Sequence, residues 1–362
     1  MPGFFVIILV LYLVGNLYIF IRGWHTLSGL ALWGKIIVSV IYWAISLLFF
    51  VSFRSRGGDS TFAHVLYEIG SSWLLFVLYM VVCLLVIDLL KLFKRRWKYS
   101  FYLAMGLTIC VLIYGSYNYH HPKVKEINLT IDKPLSSPDK KLKIVAFSDV
   151  HLGNGTGKQL LQKYVALVNA QQPDLILIGG DLIDNDVTPL YNQHMEEELL
   201  QLQAPLGIYM VPGNHEYFGG GLESSEKFLE LTSIVLLRDS LTTFPNGLQL
   251  LGRDDRRSRD RKAMAEWNNK INHNLPVIML DHQPYDLYQT EEAGIDLQFS
   301  GHTHRGQIWP LNWIADSMFE LSYGYKQLGN THMYVSSGLS LWGPPFRIGT
   351  DSEIVAFNLT FK

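Results

Sequence analysis

Phe147-Ser148-Asp149-Val150-His151-Leu152 is the stretch whose reading decides the fold. The apolar and β-branched residues Leu142, Ile144, Val145 and Ala146 lead into it. They predict a buried strand that ends in an acid and an imidazole two residues apart. Where the chain turns at the carboxyl end of a strand, Asp149 and His151 can both reach one point in space. An aspartate with a neutral imidazole is a metal-binding pair. A single Asp-x-His is weak evidence, because such pairs arise by chance. The strand endings that follow make it part of a pattern.

Downstream, an amphipathic helix is expected over 157–171, with Leu160, Leu161, Tyr164, Val165 and Val168 at helical spacing and Pro173 as its stop. The next strand, 174–178, ends in Gly179-Gly180-Asp181-Leu182-Ile183-Asp184. The paired glycines let the backbone turn sharply and approach a ligand. A helix is expected over 194–203 and a third strand over 207–211, which ends in Pro212-Gly213-Asn214-His215-Glu216. A helix over 224–231 and strands over 234–237 and 248–252 come next. Strand 276–280 runs into Asp281-His282, and strand 295–299 into Ser300-Gly301-His302-Thr303-His304-Arg305. Strands over 333–335 and 353–359 finish the chain. Packing does not require Asp, His or Asn at strand ends, but ligands of α/β sheets sit there.

Taken together, Asp149-x-His151, Gly180-Asp181-x-x-Asp184, Gly213-Asn214-His215-Glu216, His282 and Gly301-His302-x-His304 resemble the calcineurin-like metallophosphoesterases. The resemblance runs from about residue 141 to the C-terminus. It is nearest to the branch of YkuE and YaeI and to membrane proteins that join helices to this domain. Gly252-x-Asp254-Asp255, Gly301 to Gln307 and Val335-Ser336-Ser337-Gly338 fit that branch. Glu216 stands where the family often has Asp, and Arg305 where the branch often has Gly. Arg305 after the His pair is similar to the UDP-diacylglucosamine hydrolases, although those usually carry Arg in place of His215.

The resemblance implies an α/β fold, a four-layer α/β/β/α sandwich, with two divalent metal ions. One ion would take Asp149, His151 and His304, the other Asn214, His282 and His302, with Asp181 bridging both. Oxygen and imidazole ligands without thiolate suit Mn, Fe or Zn. Two cations roughly 3.5–4 Å apart can hold a phosphoryl oxygen and a bridging hydroxide together, so in-line attack of a metal hydroxide on phosphorus is expected. His215 is the candidate to protonate the leaving oxygen, being next to a ligand and able to titrate near neutral pH. Asp184 would orient it, or else cap a helix. Asn214 and Arg305 are the candidate substrate contacts, and Glu216 reads as a loop residue. His120, His121, His194, His273 and His332 read as ordinary surface or core histidines.

Composition divides the chain. Of its 362 residues, 49% are hydrophobic and 17% charged, a membrane-leaning balance carried by the first third. The net charge of −2 argues against a bulk nucleic-acid binder. Cys83 and Cys110 lie in apolar segments, which leaves the soluble part without a disulfide or a cysteine metal site. Four apolar runs, at 4–21, 30–51, 71–90 and 101–117, approach the length that spans a bilayer. The first has no basic residues before it and no clear small-residue cleavage site, so it does not read as a signal peptide. Lys35 and Asp88 sit near run ends, within snorkelling reach of the interface.

The expected organisation is a transmembrane region over 1–120, a linker with a possible first strand over 121–141, and a metallophosphoesterase domain over 142–362. Lys91, Lys94, Arg95, Arg96 and Lys98 follow the third run, and Arg22 and Lys35 follow the first. Only Arg54 and Arg56 follow the second, and Lys123 and Lys125 the fourth. The heavier loops mark the cytoplasmic side, which puts the catalytic domain of a plasma- or inner-membrane protein on the extracytoplasmic side. The cluster over 253–262, with Arg253, Arg256, Arg257, Arg259, Arg261 and Lys262, is a solvated loop or an anion site. The apolar loop 308–319 is a packing segment or a wall that meets a bilayer or an acyl chain. The leading expectation is a membrane-anchored phosphoesterase acting on a lipid or lipid-linked phosphate or pyrophosphate. The competing ones are a binding or scaffolding protein on an inactive fold, a receptor or transporter with an accessory domain, and a UDP-diacylglucosamine pyrophosphohydrolase-like enzyme if the domain is cytoplasmic.

Overall fold

The computed structural model describes residues 2–55, 61–91, 99–136 and 140–362. Arg56, Pro138 and the basic residues Lys94, Arg95, Arg96 and Lys98 lie outside the described residues. The chain divides into two compact units, Met1–Tyr117 with Gly343–Phe346, and Asn118–Trp342 with Arg347–Lys362.

Four helices dominate the first unit: α1 (Pro2–Thr26), α2 (Leu32–Ser55), α3 (Thr61–Lys91) and α4 (Ser100–His120). Each is long and apolar enough to cross a membrane. Their shared core includes Tyr12, Ile19, Val77, Met80, Leu84 and Ala104. Asn16, fully buried, is satisfied inside it. Its Oδ1 accepts from Trp73 Nε1 at 3.0 Å and Tyr42 OH at 3.1 Å, and its Nδ2 donates to Tyr12 O at 2.9 Å. Without water in a bilayer, such an amide needs these partners. Asp88 does more than reach for the interface. It pairs with Arg22 and, at 3.0 Å, with Lys91.

Two six-stranded sheets form the second unit. The first runs β1 (Lys123–Ile131), β12 (Glu353–Phe361), β2 (Lys141–Phe147), β3 (Leu175–Ile178), β4 (Ile208–Met210) and β5 (Ile234–Leu236). The second runs β10 (Gly324–Leu328), β11 (Thr331–Val335), β9 (Leu297–Ser300), β8 (Val277–Leu280), β7 (Gln249–Gly252) and β6 (Ser240–Thr243). Strands β2 to β5 are mutually parallel, as are β7, β8, β9 and β11. Alternation along each strand builds the layers. Ile144 and Ala146 of β2 and Ile278 and Leu280 of β8 enter the core between the sheets, beside Leu250, Leu297, Phe299 and Phe357. Val145 and Phe147 face the other way, onto Leu161, Tyr164, Val165 and Val168 of α5 (Lys158–Asn169). Val277 and Met279 meet Trp267, Ile271 and Ala293 on the far side of the second sheet. The result is the four-layer α/β/β/α sandwich.

Three expectations change. The helix expected over 194–203 is confined to α7 (Glu196–Leu199), and a second short helix with no sequence signal, α6 (Thr188–Asn192), precedes it, the two divided where His194 takes φ 50°. Strands β6 and β10 had no sequence signal; they close the two edges of their sheet, where half-exposed, polar strands suffice. After α8 (Leu222–Leu229) and α9 (Leu287–Glu292), the apolar loop over 308–319 contains a helix, α10 (Leu311–Met318).

Candidate active site

The strand endings singled out in the sequence converge within the second unit. Asp149 and His151 follow β2, Asp181 follows β3, Asn214 and His215 follow β4, His282 follows β8, and His302 and His304 follow β9. Backbone hydrogen bonds zip the turns together: Asp149 N donates to Gly180 O (3.0 Å), His151 N to Asp181 O (3.0 Å), and Gly301 N to His282 O (3.0 Å). Asp149, His151, Asp181, His302 and His304 all take left-handed backbone conformations, φ 47–71°. Non-glycine residues adopt these at a cost of about 1–3 kcal/mol each, and such strain gathers at functional sites. Gly180 (φ 90°) has no room for a side chain, because a Cβ would meet His282 and the Gly213 backbone.

Among the described residues three groups of potential ligands result: Asp149 with His151 and His304, Asp181 with His282 and His302, and His151 with Asp181 and His215. Within each group, one ligand atom per residue lies within 4.8 Å of the others. His304 Nε2 stands 3.4 Å from Asp149 Oδ1 and 3.1 Å from His151 Nε2. His282 Nε2 stands 3.2 Å from Asp181 Oδ2, while its Nδ1 is 2.8 Å from Gly179 O. Asp149 is gripped by Ser148 Oγ (2.5 Å) and by the His302 amide (3.0 and 3.1 Å). Asn214 Oδ1 and His282 Nε2 are buried with no hydrogen-bond partner among the described residues. Buried polar atoms are almost always satisfied, so these orphans, in a set of carboxylate, imidazole and amide donors, fit divalent cations.

The electrostatics divide the imidazoles: burial would depress His282, yet the Asp181 charge raises it well above its ordinary value. Burial, with the charge of His282 added, lowers the His302 imidazole to about 3, and burial with His151 holds His304 well below its ordinary value. Both are therefore neutral, as ligands must be. Burial alone would raise Asp181, but His282 draws it well below the usual carboxylate range. Burial raises Asp149.

His215 stands beside these groups, its ring 4.5 Å from that of His151. Its Nδ1 meets the Asp184 backbone carbonyl and lies 3.2 Å from Asp184 Oδ1. Burial would depress the His215 imidazole, yet Asp184 and Asp181 raise it. Arg305 lays its guanidinium over the Tyr323 ring at 4.6 Å. Three of the six basic residues in the cluster are neutralised by carboxylates from other segments: Arg253 pairs with Asp239 (2.9 Å), Arg256 with Asp286 (2.5 Å) and Arg261 with Asp281 (2.5 Å).

Two residues escaped the sequence reading. Glu216 is fully buried in the turn His215–Tyr217 and is no loop bystander. Its carboxylate accepts from the amides of Asp181 (3.0 Å), Ile183 (2.9 Å) and Gly213 (2.7 Å), tying the β3 and β4 turns together. Burial and the Asp181 charge push it up to about 7. Its place beside Asn214-His215 was the available signal. Arg347, also fully buried, donates to the carbonyls of His304 (3.2 Å), Gly338 (3.2 Å) and Ser340. Burial lowers it to about 10. Nothing local in the sequence marks it.

A four-layer sandwich with Asp and His clusters at the strand ends defines the metallophosphoesterase class, and comparison with known proteins agrees. Residues 142–306 match the calcineurin-like phosphoesterase family. An uncharacterized metallophosphoesterase of Helicobacter pylori is 33% identical over 281 residues, 75% of this chain and 74% of its own length. A transmembrane protein with metallophosphoesterase domain from Danio rerio is 32% identical over 276 residues, 72% of this chain and 62% of its own. The metallophosphoesterase YkuE of Bacillus subtilis is 30% identical over 231 residues, 60% and 78% of the two chains. The chain belongs to the calcineurin-like metallophosphoesterases, a family that binds divalent metals.

Proposed function

We infer that the protein is a phosphoesterase anchored in a membrane by α1 to α4, with two divalent cations at its site. The observation that carries this reading is the pair of ligand groups, Asp149–His151–His304 and Asp181–His282–His302, built at the ends of strands from both sheets. Asn214, with its orphaned buried oxygen, would complete the second group, and Asp181 would serve both. When bound, the cations, whether Mn, Fe or Zn, supply Lewis-acid polarisation of the phosphoryl group and acidify the attacking water. The chain's own residues supply the rest. Asp184 holds Nδ1 of His215, so that Nε2 is the atom that would deliver a proton to the leaving oxygen. Arg305 and Asn214 would steady the phosphoryl oxygens.

The substrate in this reading is a membrane lipid or lipid-linked phosphate or pyrophosphate, met on the extracytoplasmic side. α4 ends at His120 and β1 starts at Lys123, so two residues join a membrane-length helix to the catalytic sheet. A short tether keeps the catalytic unit where lipid is concentrated.

The test is Asp181→Ala in the full chain, with bound metal measured alongside hydrolysis of a chromogenic phosphodiester. Metal content and turnover should both collapse. Full activity in this variant would remove the two-metal reading.

A further inference from the structure

α10 is built inside out. A helix on a water-soluble domain buries its apolar stripe and shows water its polar one. α10 buries Asn312 and Ala315 and exposes Leu311 (42%), Trp313 (62%), Ile314 (51%) and Met318 (64%), together with Asp316 and Ser317. Leu311, Ile314 and Met318 share one side at helical spacing, and Trp313 widens it, edge-on to Trp309 at 5.4 Å. The helix also borders the active site. It begins seven residues after His304, and Phe319 at its end packs its ring 6.1 Å from that of His302 and 5.0 Å from that of Tyr285.

We propose that α10 is a membrane-insertion element, its exposed face entering the interfacial layer of a lipid bilayer beside the active site. This rests on the membrane-anchored reading and is independent of the chemistry. An exposed apolar patch of a few hundred Å² is often functional, and two observations select lipid. First, the three residue steps from His120 to Lys123 span at most about 11 Å, so the domain cannot leave the bilayer that holds α4. Second, the exposed face of an eight-residue helix offers roughly a few hundred Å². A stable protein interface takes about 800 Å² from each partner. Amphipathic helices with Trp, Phe and Leu on one face bury that face at the headgroup–acyl boundary, with a strength that scales with the apolar area buried.

The experiment uses the full chain with Cys83 and Cys110 replaced by Ala, reconstituted in phosphatidylcholine–phosphatidylglycerol nanodiscs. Single spin labels are placed at Ile314→Cys and Met318→Cys. Leu85→Cys on α3 gives the lipid reference and Glu223→Cys on α8 the water reference, both positions being exposed. Collision rates with oxygen, which partitions into lipid, and with a water-soluble nickel chelate are compared. Labels at 314 and 318 should resemble the one at 85, with nickel collisions several-fold below those at 223. Nickel collisions equal to those at 223 would overturn the proposal and leave the face open to water. Protection from both agents would overturn it too, in favour of cover by a second copy or another protein. If the label at 85 itself collides freely with nickel, the anchoring reading has failed first.

Discussion

Glu216→Gln perturbs the site without replacing a proposed ligand. In the native structure Glu216 Oε2 accepts the amides of Asp181 and Gly213, and Oε1 accepts that of Ile183. Glutamine preserves the shape but turns one acceptor into an NH2 donor. With its carbonyl kept on the Asp181 and Gly213 amides, only the Ile183 amide loses its acceptor; the flipped amide would abandon two. A buried donor left unsatisfied costs about 1–3 kcal/mol, so the cheaper orientation sets the loss at about that value. At about 2–4 °C per kcal/mol for a domain of this size, the melting temperature should fall by roughly 2–12 °C. Function should suffer through geometry, because Asp181 is the ligand proposed to serve both cations. Loss of a group that orients ligands typically weakens metal affinity about 10–100-fold. The assay is metal titration of the full chain in detergent, with tryptophan-monitored melting and turnover at saturating metal. Weakened metal binding with near-native turnover once loaded is the expected split. Unchanged affinity and melting would refute the clamp and return Glu216 to an ordinary loop residue.

His215→Ala should keep its metals and lose about 10²–10⁴ in turnover, the usual scale for acid catalysis; metal loss would show His215 to be a ligand instead. A cysteine at Glu223, in the chain lacking Cys83 and Cys110, should react with an impermeant thiol reagent in intact cells. Labelling only after lysis would reverse the orientation and favour nucleotide-linked substrates. Arg305→Glu, and Ser at Trp309 and Trp313, should slow hydrolysis of lipid phosphates in detergent more than that of a chromogenic diester. Equal rates on lipids and their water-soluble headgroups, unmoved by these changes, would sink the lipid substrate.

Much of the catalytic unit was legible because burial writes itself into composition. β3 (LILI) and β8 (VIML) are unbroken apolar runs, β2 is apolar from Ile144 to Phe147, β9 is broken only by Gln298, and Asp, His or Ser closes or soon follows each. A two-sided buried strand has no other way to read. The edge strands β6 and β10 have no such pressure and left no trace. In α10, Leu311, Ile314 and Met318 recur at helical spacing, but spacing does not say that this stripe lies on the outer face. The cluster over 253–262 looked cationic in one dimension, but its neutralising carboxylates Asp239, Asp281 and Asp286 come from other segments.

The sequence by itself determined which side chains are available for metal chemistry, that each ends a buried strand, and that the apolar first third is long enough to span a bilayer four times. What only the tertiary structure decided is their meeting. Asp149 and His304 are 155 positions apart, yet His304 Nε2 stands 3.4 Å from Asp149 Oδ1. Strand order, the packing of two sheets face to face, and turns held in left-handed conformations by Glu216 and their neighbours bring that about. Local sequence carries propensity and burial, but register, strand order and shared hydrogen bonds are properties of contacts between distant segments, which no local pattern encodes.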